Sequence, residues 1–135
     1  MIFVDTGAWI GLYNENDQYH AEAKARWKAI PRPGTRLVTS NFVFAEAITF
    51  LARECNYDFA ARQGRRMMTM PGLDFLRPAE QEEQVALEIM GKFADQEIGY
   101  VDCLSFALMR RYRIKIAFAF DRHFEIAGFE ILKKR

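Results

Sequence analysis

Short apolar runs recur along this chain with helix-length segments between them. That alternation restricts the chain to a sheet of mainly parallel strands covered by helices. Ile2-Phe3-Val4, ending at Asp5-Thr6-Gly7, predicts a buried strand. Leu37-Val38-Thr39, Leu73 to Leu76, Ile116 to Phe120 and Phe129 to Leu132 predict four more. Between the first two, Ala8 to Tyr13 reads as one or two helical turns. Tyr19, Ala23, Trp27 and Ile30 then recur at helical spacing until Pro31 and Pro33-Gly34 stop the pattern. Ser40 or Asn41 caps an apolar helix reaching Ala52. Further helices are expected from Asp58 to Met68, along the stripe Ala86, Ile89, Met90 and Phe93, from Gly99 to Arg113, and briefly from Arg122 to Ala127.

At 135 residues the chain is expected to form one domain, 1–135, with no linker, repeat or low-complexity segment. Half the residues are apolar and 27% are charged, which is ordinary for a globular protein. A net charge of +1 does not announce a nucleic-acid partner. Two cysteines, Cys55 and Cys103, are too few for a disulfide scaffold and read as reduced thiols. No signal peptide is visible, and no uncharged apolar run approaches the ~18 residues of a membrane span. A cytoplasmic protein without a membrane partner is expected.

Four acids stand at element ends. Glu46 is the only ionisable group between Asn41 and Ala52, in a helix apolar on all sides and therefore expected to be largely buried. A lone buried carboxylate costs several kcal/mol unless paired, protonated or bound to metal, and no Lys or Arg lies within one turn. Asp5 and Asp121 each follow a strand, at the edge where open α/β sheets bind ligands. Asp102 opens its helix after the polar loop Asp95-Gln96-Glu97, and the same edge is the economical placement. Each acid also has an ordinary explanation: Asp5 as a turn residue, Asp121 as a helix cap, Asp102 as a dipole partner, Glu46 as half of a distant ion pair. Together they are more specific. Carboxylates ~5 Å apart repel by roughly 3 kcal/mol per pair at an effective dielectric near 20, so a cluster of four requires cations. Oxygen ligands alone select Mg²⁺ or Mn²⁺ over zinc, and His20 and His123 read as isolated, without metal-ligand spacing.

At these residues the chain resembles a PIN-domain ribonuclease, and more narrowly a VapC-type toxin of bacterial type II toxin–antitoxin pairs. The resemblance runs from Phe3 to about Phe129. Val4-Asp5-Thr6-Gly7-Ala8-Trp9 is similar to the family's first acidic motif, and Phe44-Ala45-Glu46-Ala47 to its helical Glu. Val101-Asp102-Cys103-Leu104-Ser105-Phe106 is similar to the third, and Ala119-Phe120-Asp121-Arg122-His123-Phe124 to the fourth. Gly99 departs from the pattern, since relatives often carry Ser or Thr three residues before the third acid. The resemblance implies a three-layer α/β/α fold around a mainly parallel sheet. It also implies Mg²⁺- or Mn²⁺-dependent endonucleolytic cleavage of RNA, a homodimer and a cognate antitoxin protein that blocks the site. Asp5, Glu46, Asp102 and Asp121 are then the catalytic, metal-holding residues, acting through metal-activated water and leaving a 5′-phosphate and a 3′-hydroxyl.

Around this set, Thr6 and Ser40 can hydrogen-bond a ligand carboxylate, or can simply cap and turn. Arg62, Arg65 and Arg66 on one helix, Arg110, Arg111, Arg113 and Lys115 near another helix end, and the tail Lys133-Lys134-Arg135 are candidate RNA contacts; helix-dipole and solvation roles compete. Trp9, Tyr13 and Phe124 can stack on bases, although core packing is expected for at least two of them. Cys103 reads as a small buried apolar residue. Met67, Met68 and Met70 suit the core or a dimer surface, and Phe42, Phe50 and Leu51 the core or a groove for an antitoxin helix. Two competing functions are a haloacid-dehalogenase-type phosphatase, which usually carries a second Asp where Gly7 stands, and a non-catalytic PIN scaffold that binds RNA or protein.

Overall fold

The computed structural model describes residues 1–133. The chain runs through β1 (Ile2–Val4), α1 (Thr6–Tyr13), α2 (His20–Ala29), β2 (Leu37–Ser40), α3 (Asn41–Glu54), α4 (Tyr57–Met68) and β3 (Leu73–Leu76). It continues through α5 (Glu80–Lys92), a 3-10 turn (Ala94–Gln96), α6 (Tyr100–Arg111), β4 (Ile116–Phe118), α7 (His123–Ile126) and β5 (Glu130–Ile131). All five apolar runs form strands. They pair in parallel throughout, in the order β3-β2-β1-β4-β5. Ile2 lies beside Leu37 on one side and Ile116 on the other, and Val4 beside Phe118.

The strand order reverses at β1. The chain steps outward through β2 and β3, then crosses back to place β4 on the other side of β1. Right-handed crossovers put the helices of the outward steps on one face and those of the return on the other. Accordingly α1 packs on α2 and α3, and α3 on α4, while α5 packs on α6 and α6 on α7. This is the three-layer α/β/α arrangement. The reversal leaves a crevice at the carboxyl ends of β1 and β4, where sheets of this kind bind ligands.

Between the layers lie Phe3, Val4, Trp9, Phe106, Phe118 and Phe124, all fully buried. Trp9 is tied as well as packed: its Nε1 donates to Thr39 Oγ1 at 3.2 Å, and Thr39 Oγ1 donates to the Val4 carbonyl at 2.9 Å. This chain of bonds fixes the start of α1 against β1 and β2. Ser40 caps α3 by accepting from the Val43 N–H at 3.1 Å, and Asn56 caps α4 by accepting from Phe59 N–H at 2.7 Å. Arg113, in the left-handed region at φ 56°, closes α6, and the Ile114 N–H returns to the Met109 carbonyl.

Three expectations need correction. The strand expected through Phe120 stops at Phe118. Asp5 N–H donates to the Phe118 carbonyl at 3.0 Å, and β1 then becomes α1, so Ala119 and Phe120 have no strand beside them. Phe120 instead stacks on Tyr19, with centroids 4.4 Å apart. The helix expected to reach Arg113 ends at Arg111. Most consequentially, α3 is not largely buried: Val43, Ala47 and Leu51 face the core, whereas Ala45, Glu46, Thr49 and Phe50 are exposed. A helix packed on two neighbours still has an open side. The close side is at Gly64 of α4, where a Cβ would come within 3.2 Å of Phe44.

Among the described residues, no helix is long and apolar enough to cross a membrane. Of the basic tail, Lys134 and Arg135 lie outside the described residues.

Candidate active site

Asp5 leaves β1 as the residue preceding α1, with extended backbone (φ −86°, ψ 166°). A capping aspartate ordinarily accepts from the second or third helical N–H, but Asp5 makes no such side-chain cap. Its residue surface is only 5% exposed, and Oδ1 is buried without a hydrogen-bond partner. Burial, chiefly, and then the neighbouring charge of Asp102 push its carboxyl well above the usual range. The Thr6 N–H pulls it partly back, and Glu46 and Asp121 add to the upward push. The uncompensated carboxylate expected at Glu46 is therefore Asp5. Glu46 reaches the cluster from the exposed side of α3, held by Thr6 Oγ1, which donates to Glu46 Oε1 at 2.8 Å.

Asp102 stands in the first turn of α6, with its side chain 20% exposed. Burial and then the charge of Asp121 push its carboxyl up to about 6, against the opposing pull of His123. Asp121 accepts from the His123 backbone N–H at 2.9 Å in the turn that leads into α7, whose N-cap is Arg122. Its other oxygen lies 3.1 Å from His123 Nδ1. The same nitrogen lies 3.5 Å from Asp102 Oδ2. Thus β1, α3, α6 and the β4–α7 turn bring Asp5, Glu46, Asp102 and Asp121 to one sheet edge, close enough for their charges to act on one another.

His123 was expected to be isolated and is not. It sits between two of the acids, and one atom each from Asp102, Asp121 and His123 lie within 4.8 Å of one another. The sequence held a faint signal in the spacing Asp121-Arg122-His123, but the partner Asp102 is distant along the chain. Two cations outside the basic clusters stand near the acids. Arg53 lines a groove with Thr6, Ile10, Ala45, Glu46, Thr49 and Phe50, and Arg122 is exposed beside Asp121.

Ser40 is buried and engaged at its cap. Trp9 and Phe124 are core residues, and Tyr13 is partly buried against Trp9. Cys103 is buried, which raises its thiol pKa, as befits an apolar filler. Met67 is buried, Met68 exposed and Met70 packed against the core. Leu51 is buried, Phe42 partly buried and Phe50 exposed. Arg62, Arg65 and Arg66 are exposed on α4, with Arg62 paired to Asp58 at 2.9 Å. Arg110 and Arg111 are at the opposite end of α6 from Asp102, about 12 Å of helical rise away. Arg111 is bound there to Glu82 at 2.6 Å.

What the site suits chemically is a small divalent cation. The donors are carboxylates, one of them buried and partnerless, and their mutual repulsion is relieved by positive charge. The phosphatase reading finds Gly7, with nothing within 4 Å of where its Cβ would stand, in place of a second acid.

Known proteins share this fold. The family description "PIN domain" matches residues 2–130. The chain is 39% identical over 130 residues to a protein named 23S rRNA-specific endonuclease VapC20, from two strains of Mycobacterium tuberculosis, across 96% of this chain and 95% of theirs. The crystal structure of Mycobacterium tuberculosis VapC20, described as a sarcin–ricin loop cleaving toxin, superposes with a TM-score of 0.88 over 96% of both chains, with 33% identity between superposed residues. This chain belongs to the PIN-domain family.

Proposed function

We propose that this protein is a divalent-cation-dependent endoribonuclease and the toxin of a toxin–antitoxin pair. The observation that carries the reading is Asp5: a carboxylate buried in the wall of a four-acid crevice, with one oxygen unpartnered. Such a group is costly to a fold that merely needs to be stable. In this reading Asp5, Glu46, Asp102 and Asp121 hold one or two Mg²⁺ or Mn²⁺ ions. A cation bound there supplies Lewis acidity, polarising the scissile phosphate and acidifying water for the attack.

The chain's own residues do the rest. The backbone of Asp5 is anchored beside β4, its N–H donating to the Phe118 carbonyl. Thr6 orients Glu46, and the hydrogen bond from the His123 N–H orients Asp121. Four carboxylates repel a phosphodiester, so the same residues that bind cation exclude RNA until the cation is present. Arg53 and Arg122, beside the acids, are placed to meet backbone phosphates. Arg62, Arg65, Arg66, Arg110 and Arg111 remain candidates for more distant RNA contacts.

The proposed substrate is a structured ribosomal RNA loop, the class on which VapC20 is named as acting. An antitoxin that blocks the site fits the groove lined by Ile10, Ala45 and Phe50, which opens beside Glu46. A homodimer in the cytoplasm completes the reading.

The test is cleavage of a 23S rRNA fragment and a panel of other structured RNAs, with Mg²⁺, Mn²⁺ or EDTA. The expected result is a discrete cut only in the presence of cation, with a 5′-phosphate at the new end. Uncut RNA throughout, or cutting insensitive to EDTA, would count against the proposal.

A further inference from the structure

We infer that His123 is a ligand of the cation site, so that one position is made of two carboxylates and an imidazole rather than of carboxylates alone. The inference deepens the reading of the acid cluster as a cation site and rests on it.

Asp121 spends Oδ1 on the His123 backbone N–H and leaves Oδ2 available. That Oδ2 and Asp102 Oδ2 both turn toward His123 Nδ1, at 3.1 and 3.5 Å. A single N–H serves one acceptor well, and 3.5 Å is at the limit of a hydrogen bond, so mutual hydrogen bonding accounts for only part of the convergence. Atoms bound about 2.1–2.2 Å from one small cation and adjacent in its shell lie about 3 Å apart. The spacings around Nδ1 are of that size, and all three atoms lie within 4.8 Å of one another. A second observation points the same way: Asp5 Oδ1, buried and unpartnered, belongs to a carboxylate whose strongest charged neighbour is Asp102.

Backbone geometry makes the arrangement durable. His123 opens α7, and Asp121 accepts from its backbone N–H, so the two ligands are fixed relative to each other by the local fold. Asp102 arrives from α6, which packs against α7 through Phe106 and Phe124, edge to face at 4.9 Å. A nitrogen donor has a predictable consequence. Mg²⁺ prefers oxygen ligands and water, whereas Mn²⁺ accepts imidazole more readily. The mixed position therefore favours Mn²⁺ over Mg²⁺ more than four carboxylates alone do.

The experiment uses the full chain loaded with Mn²⁺, examined by electron spin echo spectroscopy for nitrogen coupled to manganese, with His123→Gln in parallel. Circular dichroism checks that the variant is folded. The wild type is expected to show the modulation of a directly bound imidazole nitrogen, and the variant to lose it. Mn²⁺ affinity should fall roughly tenfold in the variant, with a smaller change for Mg²⁺. Bound Mn²⁺ without nitrogen coupling, or coupling that persists in the variant through His20, overturns the assignment of His123 and leaves the acid site standing. Failure of the wild type to bind Mn²⁺ at all overturns the cation site itself, and this inference with it.

Discussion

Two carboxylates in this molecule are equally hidden, Glu82 at 4% exposure and Asp5 at 5%, and the fold treats them oppositely. Glu82, in the first turn of α5, accepts from the Ala79 N–H at 2.8 Å and from Arg111 Nη1 at 2.6 Å. Its charge is matched inside the protein. Asp5 has one oxygen with no partner and three other acids for neighbours. Burial alone thus distinguishes nothing; what matters is whether the fold satisfies the buried charge. Glu82 joins α5 to the end of α6 and is structural. Asp5 is left for something that the chain does not itself provide.

The contrast breaks most visibly in activity. Asp102→Asn should lower RNA cleavage by about 10³-fold, equivalent to ~4 kcal/mol of transition-state stabilisation, with the circular dichroism spectrum unchanged. Glu82→Gln should do the reverse, destabilising the fold by about 3 kcal/mol in urea denaturation while the folded protein cleaves at the wild-type rate. The lower end of the range for broken buried pairs applies because Arg111 is half-exposed and can return to solvent. If Glu82→Gln costs activity and not stability, the division between the two acids is wrong.

The same contrast predicts a pH dependence. Asp102 binds its proton more tightly folded, with a pKa of about 6, than unfolded, where the ordinary value is 3.8. Its contribution to stability is fully present below pH 4 and is lost as pH rises through about 6. Asp5 shifts in the same direction. In EDTA the melting temperature should therefore fall between pH 4 and pH 7 relative to Asp102→Asn, by up to the equivalent of about 3 kcal/mol. Saturating Mn²⁺ should abolish that difference, because cation binding favours the ionised form. An identical pH profile in the variant would remove Asp102 from the coupled set.

Much of this architecture was legible in the sequence because its signals are local. Each strand is a continuous apolar run, as buried parallel strands are, and Pro31, Pro33-Gly34 and Pro71-Gly72 mark where helices stop. The edge carrying Asp5 and Asp121 follows from their place after β1 and β4. What escaped was set by tertiary context. Ala45 and Phe50 are apolar and exposed, so the composition of α3 overstated the burial of Glu46. His123 gains its meaning from Asp102, 21 residues earlier, through packing of α6 on α7. The end of β4 was decided by its neighbour, since β1 ceases to offer a ladder after Asp5. Arg53, two turns beyond Glu46 on α3, and Arg122, next to Asp121, were adjacent to the acids in sequence, but neither belongs to a basic cluster.

Gly99 gives the smallest effect. It occupies the residue before α6 with extended backbone (φ −69°, ψ 162°) and no capping side chain, and a Cβ there meets nothing within 4 Å. Gly99→Ser should stabilise the protein by about 0.5 kcal/mol in thermal melting, through a new cap and a less flexible unfolded chain. Destabilisation would mean that the loop before Asp102 needs the glycine.

The most direct test joins stability and activity in one variant, Asp5→Asn, melted in EDTA and in Mn²⁺ and assayed on structured RNA. The account predicts that the metal-free variant melts higher than the wild type, gains less from Mn²⁺ and does not cleave. A variant that melts lower without metal, or that cleaves at the wild-type rate, would contradict the claim that Asp5 is buried to hold a cation.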